Sequence, residues 1–225
     1  MKTPFFAAML AIFRKDTLAE SRSRELIGAM GLFALLDVLI FSFALELNRE
    51  ARIESVSGVL WVTIVFASIL GLNRSVAMER DQGNLDVLLL APLPRSAIFA
   101  GKLLGNFLFT ALVGLAVAFV ITILFNVPLF NGWMLIALLL GTAGFTIIGT
   151  LLAAMTAQTR ARETLLPIVM LPVAVPLLLA AVRGTTYILN GAAQDEWLPW
   201  LSILTVLNII FLVLGVVLFE FVVEE

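Results

Sequence analysis

The sequence predicts an all-α polytopic membrane protein. It has six transmembrane helices, an amphipathic interfacial helix ahead of them, and a short cytoplasmic helix between the second and third spans. Three observations carry this. Hydrophobic residues make up 61% of the 225 and charged residues only 13%, with a mean hydropathy of +1.09, a balance foreign to a water-soluble domain. Six apolar stretches, approximately 25–46, 55–73, 96–125, 132–156, 164–182 and 199–221, are each long enough to cross a hydrocarbon layer of about 30 Å. Lys and Arg gather in alternate connections, as the positive-inside rule requires. The whole chain, 1–225, reads as one transmembrane domain.

Before the first span, the apolar patch from Phe5 to Phe13 is too short to cross and runs into Arg14, Lys15 and Asp16. Phe6, Leu10 and Phe13 recur on one helical face, so residues 4–22 read as a helix lying in the inner interface. No small-residue cleavage site marks it as a secretory signal. Lys2, Arg14, Lys15, Arg22 and Arg24 precede the first span. Arg74, Arg80, Arg95 and Lys102 flank the second-to-third connection, and Arg160 and Arg162 lie between the fourth and fifth. Arg49, Arg52 and Arg183 fall on the opposite side, which places both termini in the cytoplasm. Trp133, Trp197 and Trp200 read as an outer aromatic belt, with Trp61 near the outer end of the second span and Tyr187 in the last outer loop.

Asp37 is the one acid deep inside a span, and a carboxyl there is costly unless it faces the bundle interior or a wet cavity, or stays protonated. It is a functional candidate by default; a hydrogen bond to a polar neighbour such as Asn208 explains it as well. In the outer connection, 46–54, Glu46, Glu50 and Glu54 recur at helical spacing. Ordinary solvation accounts for that stripe, with docking of a periplasmic partner as the alternative. The third span opens at Pro94-Arg95-Ser96 and stops at Asn126-Val127-Pro128. Along the fourth, Thr142, Thr146, Gly149, Thr150 and Ala153 form a side of small residues that lets helices approach closely in lipid. The fifth contains Pro167, Pro172 and Pro176. Because each removes a backbone donor, that span should be bent or broken, with Pro172 and Pro176 kinking it on nearly one side. Two roles fit: a flexible element lining a lateral path, or a kink that neighbouring helices repair.

The passage from Glu79 to Pro94 is the long polar-to-amphipathic one. Asn84 can cap a helix there, Asp86 puts a negative charge in its first turn, and Pro92 turns the chain out by Ala91. Leu85, Leu88 and Leu89 then share one side of a short helix over residues 85–90, with Asp81, Asn84 and Asp86 keeping its approach polar. Spacing alone fits equally a helix docking into another protein's groove and one that only turns the chain at the membrane surface.

A charged run followed by Gly, Leu, acid, Leu-Leu and Pro-Leu, then Gly101-Lys102, resembles the cytoplasmic loop of ABC-2-type transporter permeases. More narrowly, the stretch Gly83-Asn84-Leu85-Asp86-Val87-Leu88-Leu89-Leu90-Ala91-Pro92-Leu93-Pro94 resembles the heme exporter protein B (CcmB) family, the permease subunit of the cytochrome c maturation system. That family typically shows Asp-Gly-Ser-Leu-Glu here; Gln82 replaces the acid, Asn84 the Ser, and Asp86 shortens the Glu. A second passage, Arg160 to Leu178 with its Leu-Pro-x-x-x-Pro-Leu-Leu, resembles that family's second signature, so the likeness covers nearly the whole chain. It implies that the 79–91 segment is an ATPase-coupling element, carried by Glu79, Asp81, Gly83, Leu85, Asp86, Leu88 and Leu89. It also implies partners: a cytoplasmic ABC ATPase subunit, a second copy of this chain, a heme-handling membrane protein with a small accessory subunit, and a periplasmic heme chaperone. The setting would be the bacterial cytoplasmic membrane, with heme as the substrate.

Composition narrows the chemistry independently. The chain has no Cys and no His, which removes disulfides, thiolate clusters, imidazole metal ligands and Ser-His-Asp catalysis. No Gly-x-x-x-x-Gly-Lys-Ser/Thr loop occurs, so the chain is expected to be non-catalytic, to bind no cofactor or metal by itself, and to leave ATP to a partner. Seven scattered Met residues read as packing. Net charge is −2 without a basic tract, which argues against nucleic acid. The rival readings are a generic ABC-2 permease exporting a lipid, polysaccharide or drug, and a non-transporting membrane scaffold.

Overall fold

A computed structural model describes residues 4–45, 49–81, 93–156, 159 and 161–222. Seven helices are found among them: α1 (Phe5–Ser23), α2 (Glu25–Ala44), α3 (Arg49–Asp81), α4 (Arg95–Phe125), α5 (Gly132–Thr156), α6 (Arg162–Leu189) and α7 (Gln194–Val222). Helices α2 to α7 are each long and apolar enough to cross a membrane. Helices α3 and α5 form the centre. α3 packs against α2, α4, α5 and α6, while α5 adds α7 to its neighbours. They are accordingly the most buried spans, and α7 the least.

Local chemistry sets the helix ends. Arg24 adopts a left-handed conformation, φ 55°, and closes α1 through its N–H to the Glu20 carbonyl at 2.8 Å. The buried Glu20 carboxylate then reaches over the turn. It accepts the N–H of Ile27 at 2.8 Å and of Leu26 at 3.3 Å, and so supplies the cap that the first turn of α2 otherwise lacks. Pro94 precedes α4, and Asn126 ends it at φ 53°. The Asn131 side chain accepts the Met134 N–H at 2.7 Å at the start of α5.

The interfacial helix expected at 4–22 is α1. Its Phe6 and Leu10 face outward, and the opposite side, with Ala8 and Ile12 buried, lies on α4. Lys102 of α4 pairs with Asp16 of α1 at 2.9 Å, and Lys15 approaches the same carboxylate at 3.1 Å.

The helices differ from the expected spans in four respects. Of the bend or break expected in the fifth span, the break is absent: α6 runs continuously through Pro167, Pro172 and Pro176. Nor does it stop at 182, because an exposed Arg183 is tolerated on the helix surface and the helix continues to Leu189. There Gly191, at φ 66°, turns the chain. The sixth span starts at Gln194 instead of 199, with Pro199 inside the helix, so the outer connection shrinks to residues 190–193. As the sixth residue of the helix, Pro199 withholds a single N–H, the one that would meet the Asp195 carbonyl. Finally, α3 outruns the 55–73 span at both ends, because charged residues can extend a helix beyond the hydrocarbon. Glu46 of the proposed acidic stripe lies outside the described residues.

Candidate functional site

Of the aromatic residues expected at the outer ends of the spans, some are buried in the bundle. Trp133 is 46% exposed and packs at a tilt against Trp197, ring centres 4.7 Å apart, but Trp197 is itself buried. Trp61 is fully buried among α3, α5 and α6. Its ring fills the notch that Gly141 leaves, where a β-carbon would collide with it; it lies 5.9 Å from the Phe145 ring. Its indole N–H donates to Thr185 Oγ1 at 3.1 Å. A tryptophan can be buried in the bundle because that one donor finds a partner.

Asp37 finds its partner in Thr63 of α3, whose hydroxyl donates to Oδ2. The suggested Asn208 is engaged elsewhere. Its amide donates to the Leu140 carbonyl at 2.9 Å, and its Oδ1 is buried against Gly144 without a hydrogen-bond partner. The intramembrane carboxyl of α2 is thus held from α3, through the Thr63 hydroxyl.

The small-residue side of the fourth span is buried along its length, from Thr142 and Thr146 through Gly149 and Thr150 to Ala153. Thr142 and Thr146 return their hydroxyls to carbonyls of their own helix, at 2.8 and 2.9 Å, which leaves smooth packing surfaces. Thr150 accepts from Asn106 of α4 at 3.0 Å. Pro172 and Pro176 are both exposed on the outer side of α6 and do not line the interior.

Of the residues expected to couple to an ATPase, Glu79 and Asp81 fall on the last turn of α3, so the passage begins as a continuation of the second span. Gly83, Leu85, Asp86, Leu88 and Leu89, with the helix expected at 85–90, lie outside the described residues. Just before that turn, α3 is tied to its neighbours. Arg74 pairs with Glu25 at the start of α2. Asn73 donates to the Glu163 carbonyl of α6 at 3.4 Å. Pro167, four residues after Glu163, cannot donate to that carbonyl, so a side chain from another helix takes the vacant place. The proline spacing could have disclosed a free carbonyl at Glu163, but not that Asn73 would reach it. Among the described residues, no three His, Cys, Asp or Glu side chains gather as metal ligands would.

Six helices able to span a bilayer, with α3 and α5 at their centre and ion pairs where the Lys- and Arg-rich connections leave the bundle, define a polytopic helical membrane protein. The family model described as CcmB protein matches residues 7–223, and the chain belongs to that family. It is similar to heme exporter protein B of Rhodobacter capsulatus, 31% identical over 185 residues, covering 82% of this chain and 84% of the relative. Heme exporter protein B of Paracoccus denitrificans is 31% identical over 210 residues, 92% of this chain and 94% of the relative. That of Pseudomonas aeruginosa is 27% identical over 205 residues, 90% of each.

Proposed function

We propose that this chain is the membrane permease subunit of an ABC transporter that exports or delivers heme for cytochrome c maturation. One observation carries the reading: the family match runs from residue 7 to residue 223, through all six spans and both motif passages. The similarity to heme exporter proteins B over nine-tenths of the chain supports the same substrate. ATP hydrolysis belongs to a cytoplasmic partner, since the chain has no phosphate-binding loop. Closure of that partner pushes on the 79–91 segment, which passes the work into the bundle. The product is heme delivered beyond the cytoplasm, or release of the heme-loaded periplasmic chaperone. The chain works beside a second copy of itself, a heme-handling membrane protein and a small accessory subunit, in the cytoplasmic membrane of a bacterium with both termini inside. Without His, stable ligation of the heme iron falls to a partner.

The test is to change Asp86→Arg or Leu89→Arg in the complete transporter. Insertion should be normal while ATPase association or heme delivery fails. Normal association and delivery in both variants would remove the coupling role. Co-purification with a heme-handling protein separates this reading from a generic ABC-2 exporter of lipid, polysaccharide or drug.

A further inference from the structure

We infer that a single turn of α3, residues 71–74, is the joint that passes movement of the 79–91 segment to three other spans at once. This rests on the coupling reading and adds where the work goes after it enters. Four consecutive helical residues point about 100° apart and so cover the whole circumference of the rod. Here each meets a neighbour.

Gly71 and Arg74, three apart and therefore on one side, both meet α2. Met30 sits in the space a β-carbon on Gly71 would need, and Arg74 pairs with Glu25. Leu72, buried, lies in the notch of Gly149 on α5, beside Met170 of α6. Asn73 donates to the Glu163 carbonyl that Pro167 leaves without its helical donor. Two of these contacts are steric, and two are polar ties at the rim. From Arg74 the helix continues unbroken to Asp81, about 10 Å further, with no hinge between the joint and the first residues of the coupling segment. A tilt or thrust applied there is therefore imposed on α2, α5 and α6 together. Glu25, Asn73, Arg74 and Gly71 act as positioning residues; none touches substrate.

The complete transporter, purified with its ATPase and reconstituted in vesicles, tests this through two quantities: ATP hydrolysed and heme delivered per ATP. Arg74→Glu and Asn73→Ala should assemble and hydrolyse ATP at close to the normal rate, while heme delivered per ATP falls by roughly fivefold or more. Combining Arg74→Glu with Glu25→Arg should restore delivery, which a loss of structure would not permit. Normal delivery per ATP in both single variants overturns the joint, as does an assembled double variant that recovers nothing. If Arg74→Glu prevents insertion, Arg74→Gln takes its place: lowered delivery per ATP supports the joint, and normal delivery overturns it. Asp86→Arg is run alongside. If it too delivers normally, the coupling reading has failed; if it uncouples while the joint variants do not, only the joint has failed.

Discussion

At the residue scale, the informative side chains are the polar ones that the fold buries. Glu20 looks in the sequence like one more charge near the basic N-terminal run. In the structure it is 4% exposed and caps the following helix. Its carboxylate sits where the N-terminal end of the α2 dipole favours negative charge. Glu20→Ala should cost about 1 kcal/mol of local stability, seen as faster hydrogen exchange at the Leu26 and Ile27 amides, whereas Glu20→Gln keeps an acceptor and should retain much of the protection. Unchanged exchange in Glu20→Ala would show that the first turn is capped by other means. Trp61 teaches a different lesson. Its type and position suit an interfacial belt, but the notch of Gly141 and the hydroxyl of Thr185, which lie far away in sequence, draw it into the core. Asp37 was legible as an exception because a carboxyl inside an apolar run is rare. Its partner was not, since Thr63 is one of many hydroxyls and only the packing of α2 on α3 selects it.

At the element scale, apolar length located every span, and helix-start and helix-stop residues set the limits of α4 closely. The ends of α6 and α7 escaped because hydropathy reports where the hydrocarbon ends, while the backbone keeps its hydrogen bonds well beyond it. The three prolines of α6 read as a bend or a break. The helix nevertheless runs through all three, and Asn73 serves the carbonyl freed at Glu163. Pro172 and Pro176 withhold donors from the carbonyls of Ile168 and Pro172 on the outward side. Replacing both by Ala should therefore slow amide exchange across residues 168–176 and raise the thermal unfolding midpoint, by roughly 1 kcal/mol or more in stability. If heme delivery survives that change, α6 needs no proline hinge; if it is lost while the protein is more stable, the prolines supply flexibility to the transport cycle.

At the scale of the whole molecule, orientation can be checked cleanly because the chain has no cysteine. In intact cells, a membrane-impermeant maleimide should label Ala192→Cys, in the connection between α6 and α7, but label Ser21→Cys on α1 only after the membrane is opened. The reverse pattern would invert the topology and put the coupling segment on the wrong side for a cytoplasmic ATPase. Composition, periodicity and the placement of Lys and Arg determined by themselves that this chain is a six-span helical membrane protein with an interfacial leader, because transfer into lipid depends on local sequence. The family likeness was carried by two short motif passages, also local. Only the tertiary structure decided that α3 is the central rod, that Trp61 belongs to the core, and that residues 71–74 bind three spans together. Those outcomes depend on which notch meets which side chain across helices, a matching problem that no local pattern of residues encodes.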